Sequence, residues 1–192
     1  MIHVINRPQD EERRNNIEPL LQWFDYCFIE PEPTRPVKKE TSAWNERANS
    51  LRLTTIKLVE EAMEMDAPYL FIMEDDAVFN PDHLEEFYEN FEKVKGGTWD
   101  FLHLNYSGGE TFDVQSMHRF RRTLDGVFCC QAYLINKNVY PLYLKMLENE
   151  VPIDAVTKKI HFLRKKSYIY EPKIIFHPEG EYSTLRDKKV DY

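Results

Sequence analysis

The sequence predicts an α/β fold, and three observations carry that expectation. Short runs rich in β-forming residues alternate with stretches whose apolar residues recur at helical spacing. The alternation begins at once, strand–helix–strand within the first thirty residues, which is how a parallel sheet opens. A third apolar run, Tyr69 to Met73, then ends abruptly in three adjacent carboxylates, Glu74-Asp75-Asp76. Anions side by side repel one another and gain nothing from an apolar core, so they belong at a strand end that opens into a crevice.

Taken in order, Ile2 to Ile5 is the first strand, closed by Asn6-Arg7-Pro8. Asp10 to Phe24 reads as a helix, with Ile17, Leu20, Leu21 and Phe24 on one face. Tyr26 to Ile29 is the second strand. Pro31, Pro33 and Pro36 make residues 30–40 a loop. Ser42 is a candidate N-cap for a long helix whose apolar positions include Leu51, Leu53, Ile56, Val59, Ala62 and Met63. Pro68 separates that helix from the Tyr69–Met73 strand. Pro81 opens another helix, with Leu84, Phe87, Tyr88, Phe91 and Val94 forming its apolar face, and Gly96-Gly97 ends it. Trp99 to Leu104 is a strand, Asn105 to Met117 a polar loop, and Phe128 to Ile135 a further strand. Helices follow from Asn138 to near Glu150 and from Pro152 to about Leu163. Tyr168–Tyr170 and Ile174–Phe176 are short closing strands, and residues 178–192 a partly ordered tail. No repeat or linker interrupts the chain, so residues 1–192 are expected to form one domain.

Bulk composition narrows the function. The chain is 42% hydrophobic and 14% aromatic, enough for a real core. Its net charge of −8 argues against a protein that coats nucleic acid or anionic membrane. No stretch has the length of a membrane span, and the N-terminus lacks a signal peptide's apolar segment. The cysteines are Cys27, Cys129 and Cys130, an odd count that suggests neither a disulfide framework nor a structural zinc site. A cytoplasmic location is expected.

The acidic triplet has two readings on pattern alone: a cation site, or a solvated acidic turn. Apolar residues resume immediately at Ala77, Val78 and Phe79, where an ordinary turn more often carries Gly, Asn or Pro. Hard carboxylate oxygens suit Mn²⁺ or Mg²⁺.

Several stretches together resemble glycosyltransferase family 25, the lipooligosaccharide and collagen galactosyltransferase relatives. They are Val4-Ile5-Asn6 with Arg13-Arg14, Ala67 through Ala77 with its acids, and Trp99 through Leu104. Ala132-Tyr133-Leu134-Ile135, Val151-Pro152-Ile153-Asp154, and Tyr170-Glu171-Pro172 with Ser183 complete the set. The family's Gly-Cys-x-x-Ser-His is replaced here by Ser50-Leu51-Arg52-Leu53-Thr54-Thr55. The resemblance implies a GT-A-like fold, a Rossmann-type sandwich in which helices flank a mixed, mainly parallel sheet. It implies an inverting, metal-dependent transfer of a hexose from a nucleotide-sugar, a UDP-hexose, to a hydroxyl on a glycan, a protein or a modified base.

It also implies roles for residues. Glu74-Asp75-Asp76 stands for the family's DxD motif, with Asp76 as direct ligand of Mn²⁺ or Mg²⁺. Glu74 would assist through the metal or its water, and Asp75 would reach ribose or sugar. His177 is the candidate C-terminal metal ligand, against a plain surface histidine. Asp154 is the candidate base, against a helix N-cap with no catalytic part. Asn6 and Arg7, at the end of the first strand, and Arg47 with Asn49 are candidates for holding the nucleotide, against solvated helix faces.

Basic clusters at Arg119, Arg121 and Arg122, and at Lys158-Lys159 and Arg164-Lys165-Lys166, read first as solvated faces. They leave a phosphorylated or nucleic-acid acceptor as a minor reading. Two rival functions stand: a non-catalytic nucleotide-sugar-binding module with a degenerate fold of this type, and a metal-dependent nucleotidyltransferase. The latter wants a glycine-rich phosphate loop, and residues 5–16 contain no glycine.

Overall fold

The structure is a computed structural model. It describes residues 1–22, 24–33, 43–106, 112–123, 126–128, 130–148, 152–176, 182–183 and 188–189. Eight strands form the main sheet: β1 (Ile2–Ile5), β2 (Tyr26–Ile29), β3 (Tyr69–Glu74), β5 (Phe101–His103), β6 (Phe112–Met117), β7 (Phe120–Thr123), β8 (Ala132–Asn136) and β9 (Ser167–Tyr170). Two strand pairs lie outside it. β4 (Val78–Phe79) pairs with β10 (Ile175–Phe176), and β11 (Tyr182–Ser183) with β12 (Lys188–Lys189). The helices are α1 (Glu11–Ile17), α2 (Ala43–Glu64), α3 (Leu84–Val94), α4 (Tyr140–Leu147) and α5 (Ile153–Arg164).

The strand order is β2-β1-β3-β8-β5-β9-β7-β6. β2, β1 and β3 are mutually parallel, as are β5 and β9; β8 and β7 run against their neighbours. Six of the eight strands therefore point one way, and the mixed, mainly parallel sheet stands as expected.

Side-chain alternation sorts the sheet into two faces. Ile2, Val4, Phe71, Met73, Leu102 and Leu134 pack with Ile17 and Leu21 beneath α1 and with Phe87, Phe91 and Val94 of α3. Ile5, Leu70, Ile72, Phe101, Tyr133 and Ile135 pack with Leu58, Val59 and Ala62 of α2, Tyr140 and Tyr143 of α4, and Val156 and Ile160 of α5. The result is a three-layer sandwich. Strands such as β3 and β8 read as unbroken apolar runs because helices cover them on both sides.

Some expectations need correction. The helix predicted over Asp10–Phe24 stops at Ile17, and Glu18–Leu21 is a 3₁₀ turn with Pro19 in its first positions. Proline has no N–H to continue the α-helical ladder. The polar stretch read as loop through Met117 contains β6, which pairs with β7 at the edge of the sheet across a register shift between Phe112 and Ser116. The strand predicted from Phe128 begins only at Ala132. Ser42 lies outside the described residues.

Candidate active site

The sheet order places a crevice at the ends of β1 and β3. The chain leaves β1 through α1 on one face of the sheet, and reaches β3 through α2 on the other. Where consecutive connections go to opposite faces, a gap opens beyond the carboxyl ends of the strands. Register sets what lines it. Ile5 is level with Glu74 across the β1–β3 ladder, so Asn6 continues beside Asp75. The cleft is lined by Ile5, Arg7, Asp10, Arg47, Glu74 and Asp75, with Pro31, Ser50 and Leu51 closing it.

The three acids leave β3 in different directions and acquire different partners. The Asp75 carboxylate accepts from Asn6 Nδ2 at 2.8 Å and from Arg13 Nη1 at 3.1 Å. Arg13 also stands 3.7 Å from Asp76 Oδ2. Asp76, only 7% exposed, accepts from Gln131 Nε2 at 3.3 Å. Gln131 in turn accepts from Asn105 Nδ2, and its carbonyl takes the Glu74 N–H at 2.7 Å. Asp154 comes from the far end of the chain and accepts the Cys130 N–H at 3.1 Å. The Cys130–Gln131 segment thus bridges Asp154 to Asp76.

Charge in this cluster is strongly unbalanced. Burial pushes the Glu74 carboxyl well above the usual range; repulsion from Asp76, then Asp154, then Asp75 pushes further, and Arg13 pulls back only in part. Asp75 is also raised by burial, while the Asn6 hydrogen bond and Arg13 oppose the rise. Desolvated anions facing one another favour either a proton or a cation among them.

The remaining candidates divide. Arg7 lines the cleft and forks onto Asp10 at 2.6 and 3.0 Å. Arg47 lines it too. Asn49 does not line it: its Oδ1 is held by Arg52 at 3.1 and 2.8 Å, and Arg52 donates onward to the Leu147 carbonyl at 2.7 Å. His177 lies outside the described residues. The N-cap position of α5 belongs to Pro152, and Asp154 is the second helical residue, so the alternative reading of Asp154 as a plain N-cap does not hold. Its bond goes to a neighbouring segment, not to its own helix.

The basic clusters are largely engaged. Arg164 grips Asp100 through two bonds of 2.6 and 3.0 Å, Arg119 meets Glu86 at 2.9 Å, and Arg121 meets Glu171. Three site residues carried no sequence signal of their role here: Arg13, Gln131 and Asn105. Arg13 appeared only within the opening motif, and nothing local announces a partner sixty-two positions away.

No protein-family model and no curated protein matches the chain. Its likeness is to solved structures. A glycosyltransferase involved in glycosylation of the major capsid of PBCV-1 superposes with a TM-score of 0.58 at 12% identity, covering 97% of this chain and 95% of that one. The chain shares that structure's fold, a mixed, mainly parallel Rossmann-type sandwich of the GT-A-like kind. A197 from STIV follows at a TM-score of 0.42 and 9% identity, over 98% of this chain and 91% of that one. Mouse xyloside xylosyltransferase 1 follows at 0.40 and 9%, over 88% and 70%. In this fold, Glu74 and Asp75 line the cleft at the ends of β1 and β3.

The donor set at that crevice is all carboxylate oxygen, which suits a hard divalent cation. Among the described residues, no three His, Cys, Asp or Glu side chains are gathered around one point as a complete metal cage. The carboxylate oxygens suit such a cation in kind, but three of them do not converge on one point among the described residues. Among the described residues, no helix is long and apolar enough to cross a membrane.

Proposed function

We propose that this chain is an inverting, metal-dependent glycosyltransferase of the family 25 type. It would move a hexose from a nucleotide-sugar, a UDP-hexose by resemblance, to a hydroxyl group on a glycan, a protein or a modified base. One observation carries the reading: the Cys130–Gln131 segment ties Asp154, at the start of α5, to Asp76 and to the Glu74 N–H at the end of β3. The two residue classes such a reaction needs, acids for the leaving group's cation and a base for the nucleophile, are supplied by separate elements converging there.

Glu74 and Asp76 are the residues that would hold Mn²⁺ or Mg²⁺. When bound, such a cation acts as a Lewis acid toward the negative charge that grows on a departing diphosphate. Arg7 and Arg47, lining the same cleft, are placed to meet phosphate or ribose. Asp154 accepts the acceptor's hydroxyl proton as its oxygen bonds to the anomeric carbon. The bond from that carbon to the diphosphate oxygen breaks, its electron pair leaves with the nucleotide, and the new linkage has inverted configuration. The Cys130 N–H keeps the Asp154 carboxylate fixed, leaving its other oxygen for the proton.

The test is release of nucleoside diphosphate from a panel of nucleotide-hexoses with Mn²⁺ and simple hydroxyl acceptors. Release that vanishes in Asp76→Ala supports the proposal. Nucleotide bound without release under every condition favours the binding-module reading, which the incomplete metal cage also suits.

A further inference from the structure

A second surface lies at the C-terminal half of α5 and takes in Phe128. Phe162 is 49% exposed, Leu163 67% and Phe128 43%. Large apolar side chains in contact with water, gathered at one place, mark an interaction site more often than scattered ones do. These are tied together by cations. Lys158 Nζ sits 4.1 Å from the Phe128 ring centre and 5.9 Å from that of Phe162, and Lys165 Nζ sits 4.6 Å from Phe162.

Helical spacing explains the pattern. Lys158 and Phe162 lie four apart on one line of α5, and Lys159 and Leu163 on the next, while Lys165 follows as the helix's left-handed C-cap. Phe128 joins from another segment because the chain approaches α5 closely at Gly126. That residue has φ +72°, and a Cβ there would come within 3.1 Å of Lys158 Cγ. The cluster therefore alternates apolar tips with ammonium groups on a chain whose overall charge is −8.

We infer that this patch is a docking surface for an anionic lipid bilayer. The occupant follows from the chemistry. Phenylalanine and leucine tips partition into the headgroup boundary, and lysines around them reach anionic headgroups on flexible stems. The arginine in the run, Arg164, is committed to Asp100, leaving lysines as the patch's cations. Single-stranded nucleic acid fits less well, since stacking needs open ring faces and the lysines lie over Phe128 and Phe162. The chain's net negative charge does not forbid docking, because at physiological salt charges beyond about 8 Å are screened. The inference is independent of transfer chemistry at the crevice.

Vesicle co-flotation of the full chain tests it, with phosphatidylcholine vesicles against vesicles in which a third of the lipid is phosphatidylglycerol. The expected result is about tenfold stronger binding to the anionic vesicles, weakening as salt is raised. Leu163→Ser and Lys165→Glu, both at exposed positions, should each lower binding several-fold with the melting temperature unchanged. Equal or no binding to the two vesicle types overturns the inference. So does full binding by both variants, or displacement of the chain from vesicles by a single-stranded oligonucleotide at stoichiometric concentration.

Discussion

Asp154 in the first turn of α5 lies close enough to Glu74 at the end of β3 to raise its carboxyl, and the Cys130 N–H holds Asp154 in place. The two acids differ in their partners. Glu74 belongs to the group facing Arg13, while Asp154 stands outside that pairing with a backbone donor of its own.

The first prediction concerns that difference. Asp154→Asn keeps an oxygen for the Cys130 N–H but loses the ability to take a proton. Transfer should fall by about 10²–10⁴, with nucleotide-sugar affinity nearly unchanged. Steady-state kinetics beside calorimetric titration of the donor would show it; equal losses in kcat and in donor affinity would point to a structural role.

Arg13 is the one cation ion-paired with both Asp75 and Asp76 among the described ion pairs, and both partners are largely buried. Removing one partner of a buried pair leaves the other uncompensated. Arg13→Ala is therefore expected to destabilise the fold by about 3 kcal/mol, read from urea unfolding. Arg13→Lys should recover part, because one nitrogen, Nη1, makes both contacts and a shorter ammonium stem has to reach the same two acids. A loss of a few tenths would show that the acids do not depend on it.

His103 sits fully inside the sheet core, with its ring near Phe101 and Tyr133. Burial, and then the nearby His161, push it down from 6.5 to about 3. The unfolded chain takes up this proton as pH falls through 6.5, while the folded chain does not. Stability from this group is full above pH 6.5 and is lost as pH falls toward 3, by up to about 1.4 kcal/mol per unit. His103→Phe should flatten the acid limb of a melting-temperature profile between pH 6.5 and 4. An unchanged limb would assign the acid sensitivity to other groups.

Phe87 tests the sandwich itself. It is 1% exposed and contacts the rings of Phe91, Phe120 and Tyr170, thereby joining α3 to β7 and β9. Phe87→Ala should cost about 3–5 kcal/mol. A cost under 1 kcal/mol in equilibrium unfolding would contradict the packing.

How much of this was legible in the sequence depends on burial and locality. β1, β3 and β8 announced themselves because both of their faces are covered, which demands continuous apolar residues. β6 did not: Phe112–Met117 is a polar edge segment, paired on one side only, where strand composition is weakly constrained. The acids at the β3 end were visible because charge directly after a buried strand conflicts with local propensity. Asn49 looked equally available, yet Arg52, three positions along the same helix, binds it. The tie from Cys130–Gln131 to Asp154 and Asp76 joins distant positions through a backbone N–H and an amide, for which no sequence spacing exists. The acids were visible in the sequence; Arg13, Gln131 and Asn105, which hold them in place, were not.

The most direct test of the central claim is calorimetric titration of nucleoside diphosphates, UDP first, with and without Mn²⁺, in the wild-type chain and in Asp76→Ala. The account predicts that Mn²⁺ strengthens binding of one nucleotide by at least about tenfold, and that Asp76→Ala abolishes the gain. Binding that ignores Mn²⁺, or a gain that survives in Asp76→Ala, would contradict it.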